Sequence, residues 1–467
     1  MKQLLHTFFI ALALLVQAMA ASDSSAQSNS ANSTQTQSLG RRVSRVFFQD
    51  DQARTLKWAD LYTGAELKLG PVSEIKGFPK LDPETQSLVQ MESSEGFLLI
   101  GVRDEEDGQF QSGWVLVDSG VKKEEHGDHF HWRYPTEPKV RAQVLDKAQG
   151  NPAHVYCYDG VFFVANDKLG GCTRLDPRTI VDTDNATTLA QRAAFHVGGG
   201  GHITLTAVQN KFLFSTWIDR QGDHAGQVDV CTIQPKGNKT VLGSVKLPSG
   251  GLHGATACLD RAFFAPADGV CWLQIPKTAS WTVGDLKVEH LSLGKDGDKP
   301  ARTGAFTTFD KYVCFTTGGG ATAKLNWIDA SASKPTVQSI NIPMDEKNKP
   351  AGLELVRGKN RQVTAFLFHD HAADQDAPNK LTVVRMDSNT DGKWDDAAIA
   401  KELEVGKASV EGHGGHHSLS ASADATLAAL TNSGDSTVSL MKLDDLSIAS
   451  TINVGGTPSK VVLIGGK

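Results

Sequence analysis

The sequence predicts an all-β chain folded as an eight-bladed β-propeller, and three observations carry that prediction. A phrase recurs about every fifty residues, each copy is followed by further strand-like runs, and a lone C-terminal strand complements an N-terminal segment that lacks one.

The phrase is a short β-rich run, a polar turn and an aromatic-rich strand. It reads His154-Val-Tyr-Cys-Tyr-Asp-Gly-Val-Phe-Phe-Val164, then His202 to Phe214, His253 to Phe264, and Thr303 to Phe315. Looser copies run from Leu353 to Phe368 and from His417 to Leu430, and an early one covers Leu88 to Val102 with Glu95-Gly96 as its turn. Two more strand-like runs follow each copy, for example Gly226 to Ile233 and Val241 to Leu247, so the unit is a four-strand meander. Copies starting near 88, 154, 202, 253, 303, 353 and 417 make seven blades. Val43 to Leu69 holds three strands without an inner one, and Pro458 to Ile464 is a single strand without a blade. Pairing them makes the eighth blade and removes the exposed sheet edges; seven blades is the alternative if they do not pair. A tandem of β-sandwiches would leave the C-terminal strand unexplained.

The expected organisation is a signal peptide (1–20), a polar disordered leader (21–42) and the propeller (43–467). Lys2, the apolar run Leu4 to Val16 and the Ala18-Met19-Ala20 site have the order of a secretory signal, which directs the chain to the periplasm. Ala21 to Gln37 is Ser, Asn, Gln, Thr and Ala with an isolated Asp and no aromatic residue, too polar to fold. No later stretch approaches the ~18 apolar residues of a membrane span, so no membrane insertion is expected. The net charge of -6, with both signs interspersed, argues against nucleic acid as a partner.

The repeat sorts the histidines. The residue just before the first strand of a blade sits at one mouth of the central channel, and in four copies it is His154, His202, His253 and His417, with His413 and His416 ahead of the last. Glycines crowd these slots, at Gly198 to Gly201, Gly250-Gly251 and Gly412, Gly414 and Gly415, which suits close backbone approach. The loop from second to third strand opens on the same face and brings Asp219, Asp223 and His224 in one blade and His369, Asp370 and His371 in another. Three His with one Asp, or four His, make a tetrahedral Zn2+ set. With no thiolate or thioether nearby, a soft Cu(I) site is disfavoured. A second, local cluster is Glu124-Glu125-His126-Gly127-Asp128-His129-Phe130-His131, where His129 and His131 share a strand face and His126 and Asp128 fold over from the loop. The metal ligand candidates are therefore His154, His202, His253, His417, His416, His413, His224, His369, His371, His126, Asp128, His129 and His131. The bland reading of any single one is a hydrogen-bonded core histidine; His290 and His6 receive no role.

With these residues in place, the chain resembles the AztD-type periplasmic zinc chaperones. The resemblance covers the mature chain and is carried by Trp114-Val-Leu-Val-Asp118 leading to His126-Gly-Asp-His-Phe-His131, the glycine run before His202, and His253-Gly-Ala. It implies zinc binding and delivery to the periplasmic solute-binding protein of a zinc ABC importer. The leader has no histidine, which counts against capture by a tail.

Six cysteines in an exported chain suggest disulfides. The sequence-near pairs Cys157 with Cys172 and Cys258 with Cys271 lie on first and third strands, about 10 Å apart and beyond disulfide reach, so the connectivity stays open. The chain is expected not to be an enzyme. The alternative is a metal-dependent propeller hydrolase or lactonase, although carboxylates are thin at the mouth slots and no GxSxG occurs. A propeller that binds no metal would leave the coincidence of histidine slots unexplained.

Overall fold

A computed structural model describes residues 40–64, 66–104, 111–278, 280–371, 379–410 and 414–466. The expected signal peptide, nearly all of the expected polar leader, and His413 lie outside them.

Eight antiparallel sheets follow one another, each built as the meander the repeat predicts. Blade 2 runs Gln86–Ser94, Phe97–Asp104, Ser112–Asp118 and Lys139–Asp146 from its inner to its outer strand. The inner strands of blades 3 to 8 are Pro152–Tyr158, Leu205–Val208, Ala255–Cys258, Thr307–Phe309, Lys349–Arg357 and Leu419–Ala421. Blade 1 combines Arg41–Asp50, Thr55–Thr63 and Leu67–Leu69 with the C-terminal strand Pro458–Ile464, in the register Arg45↔Ile464 and Phe48↔Val461. The two ends therefore close the ring with a hydrogen-bonded seam, in which Pro458–Ile464 covers the inner edge of Arg41–Asp50.

The second half of each repeat becomes the second strand, and in six of the eight blades its phenylalanine rings are buried between blades, blades 2 and 8 using aliphatic residues instead. Phe47, Phe48, Phe162, Phe163, Phe214, Phe263, Phe264, Phe315, Phe366 and Phe368 are all fully buried. Phe214 of blade 4 meets Phe264 of blade 5 at 6.1 Å between ring centres, in a cluster with Val230 and Leu273. Burying one such ring contributes about 1.5–3 kcal/mol, so repeating it around most of the ring favours closure.

Two insertions decorate the connections from third to fourth strand. Blade 2 carries the hairpin Lys122–His126/His129–Arg133, and blade 3 a short helix, Ala186–Arg192, capped by the Asn185 side chain on Thr188 N–H at 2.9 Å. Those connections lie on the face opposite the starts of the inner strands, so the histidine-bearing hairpin and the channel mouth look in opposite directions. Among the described residues no helix is long and apolar enough to cross a membrane.

The expectation of disulfides is corrected: all six cysteines are free thiols. All six sit on strands inside the sheets. Burial pushes the thiols of Cys157, Cys231, Cys258 and Cys271 up to about 12, and those of Cys172 and Cys314 well above their usual value. Held protonated in this way, they are poor nucleophiles and poor metal ligands.

Candidate metal centre

Three of the predicted mouth histidines converge. His154 is the third residue of the inner strand of blade 3 rather than the residue before it, whereas His202 and His253 precede those of blades 4 and 5 as expected. One ligand nitrogen from each lies within 4.8 Å of the other two, the one such group among the described residues. His154 Nε2 stands 3.0 Å from His202 Nε2, and the ring centres of His202 and His253 are 5.1 Å apart. Two nitrogens on a tetrahedral zinc at ~2.0–2.1 Å from the ion stand about 3.3 Å apart. The three rings therefore need only small rotations to share one ion.

Local structure explains the approach. Gly200 leaves no room for a Cβ, which would run into the Trp217 indole, and Gly251 adopts φ +70, a left-handed turn that glycine tolerates. Below the mouth, alternation along the strand puts Tyr156 and Tyr158 on the His154 face, with His154–Tyr156 and Tyr156–Tyr158 ring spacings of 5.6 Å and 5.8 Å. The Tyr158 hydroxyl lies 2.9 Å from Leu205 O and 3.2 Å from Ala255 O, donating to one at a time. That single side chain ties blade 3 to the inner strands of blades 4 and 5, the three blades that carry the histidines.

Two of the rings are oriented from behind. His202 Nδ1 faces Asp167 Oδ2 at 3.1 Å, while Asp167 Oδ1 accepts from Ile203 N–H at 2.9 Å. His253 Nδ1 faces Gly304 O at 3.3 Å. An oxygen behind Nδ1 fixes the proton there and leaves the Nε2 lone pair pointing outward, the usual outer arrangement of a zinc-bound histidine. Asp167 was missed by sequence reasoning, although a signal existed. Blade 7 repeats the pattern, with Asp370 at the end of its second strand serving the histidines that precede the next inner strand.

The remaining mouth candidates are placed elsewhere. His417 is fully buried: its Nδ1 lies 2.6 Å from Asp370 Oδ1, its Nε2 3.1 Å from Gly406 O, and its ring stacks on Phe368 at 4.8 Å. Both nitrogens are thus engaged within the protein. His416 Nδ1 takes the other Asp370 oxygen at 3.0 Å. Burial pushes the Asp370 carboxyl up, but hydrogen bonds from His416 and His417 outweigh it and hold the group well below the usual carboxylate range. His224 stacks on Trp217 at 3.8 Å with Nδ1 on Gln227 at 2.9 Å. His369 lies in the second strand of blade 7, with Nε2 on Thr382 Oγ1 at 2.7 Å, and buried His371 follows that strand. Asp219 and Asp223 stay on the loop of blade 4, and His413 falls outside the described residues.

On the opposite face, His126, His129 and His131 do gather, with ring centres 5.1–5.6 Å apart. Asp128 binds His129 Nδ1 at 2.8 Å, and Glu124 lies 3.4 Å from His126 Nε2. All four residues of the predicted local set are exposed.

Over 91% of this chain and 99% of the other, the structure aligns with AztD from Citrobacter koseri at TM-score 0.61 and 16% identity. The chain has the AztD fold. A structure of apo AztD from the same organism aligns at 0.60 and 15% identity, with the same coverage. The dihydro-heme d1 dehydrogenase NirN in complex with DHE aligns at 0.51 and 12% identity over 90% of this chain and 75% of that one. No protein-family model and no curated protein sequence matches the chain.

Proposed function

We propose that this protein is a periplasmic zinc chaperone. It captures Zn2+ between His154, His202 and His253 and passes it to the solute-binding protein of a zinc ABC importer. The observation that carries the reading is the convergence of three imidazoles from three successive blades, two of them oriented from behind by an oxygen. The AztD fold and the resemblance of the His126 to His131 segment and of the glycine-flanked mouth histidines support it. The N-terminal signal pattern supports export.

Three neutral nitrogens bind zinc firmly yet leave one tetrahedral position for an incoming ligand, which allows ligand exchange with a receiver without prior release of the ion. The exposed His126–Asp128–His129–His131 hairpin serves as a second, looser zinc site on the far face. Its side chains are not held by packing, so binding must order them first. The mouth site is tested by zinc titration of the full chain and of His154→Ala, His202→Ala and His253→Ala variants. Each variant is expected to bind at least 100-fold more weakly at the mouth, with the hairpin's contribution retained. Unchanged affinity in all three would refute the mouth site.

The open fourth position also favours a second reading, a zinc hydrolase, because a zinc-bound water there is a nucleophile. Turnover of ester or lactone substrates that disappears in the His202→Ala variant would establish it.

A further inference from the structure

The rim of the mouth beside His253 carries two arginines that the zinc site does not use. Arg220 lies on the loop from second to third strand in blade 4, and Arg302 on the segment entering blade 6. They straddle one glycine. The Arg220 Cγ is 3.2 Å from where a Gly251 Cβ would stand, and Arg302 Nη2 donates to Gly251 O at 3.5 Å.

Among the described residues neither guanidinium forms an ion pair. Asp268, on the corresponding loop of blade 5, is engaged by the Ser249 hydroxyl and faces His290 at 3.3 Å. Burial, and then the positive charge of Arg220, lower the pKa of Arg302. Two cations close enough for their charges to interact, in a chain of net charge -6, make a local excess of positive charge. A guanidinium fork is matched by the two oxygens of a carboxylate.

We propose that Arg220 and Arg302 form a carboxylate-recognition site that docks an acidic segment of the protein receiving the metal. The proposal rests on the zinc-transfer reading and names the chemistry of the receiver. Position links the two sites: Arg302 is two residues from Gly304, whose carbonyl faces His253 Nδ1. A carboxylate seated on Arg302 thus acts next to the group that orients one zinc ligand. Leu169, 44% exposed on the loop that carries Asp167, adds an apolar contact on the same face, as a protein partner would use and a free ion would not.

The probe is a fluorescent hexaglutamate peptide, titrated by anisotropy against the full chain, metal-free and zinc-loaded, at low and high salt. The Arg220→Gln/Arg302→Gln double variant should weaken peptide binding at least tenfold while zinc affinity stays within threefold. Arg220→Gln alone, at an exposed position, should weaken it about threefold, which keeps the test valid if the double variant folds poorly. Equal peptide affinity in wild type and both variants would overturn the proposal. Citrate binding as tightly as the peptide, with the same arginine dependence, would overturn protein docking and assign the pair to a free polycarboxylate. If zinc fails to bind the three histidines while the arginine dependence of the peptide persists, the zinc-transfer reading falls and the anion site stands.

Discussion

Replacing Asp167 with asparagine separates the orientation of a zinc ligand from the ligand itself. The wild-type carboxylate accepts from Ile203 N–H with one oxygen and faces His202 Nδ1 with the other, at 2.9 Å and 3.1 Å. Asparagine can keep its Oδ1 on the Ile203 amide, so the backbone stays satisfied, but it then turns an NH2 group toward Nδ1. That group stabilises the tautomer protonated on Nε2, the nitrogen that faces His154, and zinc binding must first reverse it. Outer partners of this kind are worth about 10–100-fold in affinity, or about 1.4–2.7 kcal/mol. The contact to His202 is not short, and Arg103 draws on the same oxygen from 3.9 Å, so the lower end applies. The expected loss is about tenfold. The assay is zinc competition against a chelating chromophore at pH 7.5, with thermal melting of the metal-free chain as control. A melting point that holds while affinity drops tenfold supports the argument. An affinity within threefold of wild type, with His202→Ala binding lost, would refute it and reduce Asp167 to a backbone cap.

Four further outcomes follow from the same geometry. His417→Ala should destabilise the chain by about 3 kcal/mol in denaturant unfolding, since it removes a buried and a part-buried hydrogen bond and a stacked ring, while zinc affinity at the mouth stays within threefold. Tyr158→Phe keeps the ring but releases Leu205 O and Ala255 O, and should weaken zinc severalfold by loosening blades 3 to 5; unchanged affinity would show that the seams alone hold them. Replacing His126, His129 and His131 together with alanine should lower zinc stoicheiometry at high metal without shifting the melting point, because all three side chains are exposed and the hairpin's one core contact, through Trp132, is kept. Glu354 gives the stability a pH dependence. Burial pushes its carboxyl from 4.5 up to about 7, against the pull of Lys460 and aided by Glu92, three residues on the inner strands of blades 7, 1 and 2. The folded state therefore binds the proton more tightly than the unfolded one, so this contribution is full below about pH 4.5 and is lost as pH rises through about 7. Glu354→Gln should remove that decline and gain up to about 3 kcal/mol at pH 8, read from urea unfolding across pH.

Much of the architecture was legible in the sequence because a propeller writes its geometry as a period. The aromatic second strands, the inner strands beginning close to the repeat starts, and the pairing of Pro458–Ile464 with Arg41–Asp50 all follow from local pattern and from the need to cover sheet edges. The period also put His154, His202, His253 and His417 at equivalent slots. Equivalent slots share a circle, and only tertiary structure decides which points on it touch. Blades 3, 4 and 5 are neighbours, so their histidines meet across one arc of the mouth. Blade 8 lies three blades further round, each about 45° apart, and His417 turns instead into the Asp370 carboxylate of its own neighbour. The outer groups likewise depend on the tertiary structure: Asp167, although its place after a second strand was a signal, serves a histidine 35 positions away, and Arg220 and Arg302 meet only around the Gly251 turn. Periodicity and the two complementary ends suffice for a closed ring with histidines at one mouth. The tertiary structure decided that three of them share a point in space, because ligation depends on distances of a few ångströms that a repeat fixes only between adjacent blades.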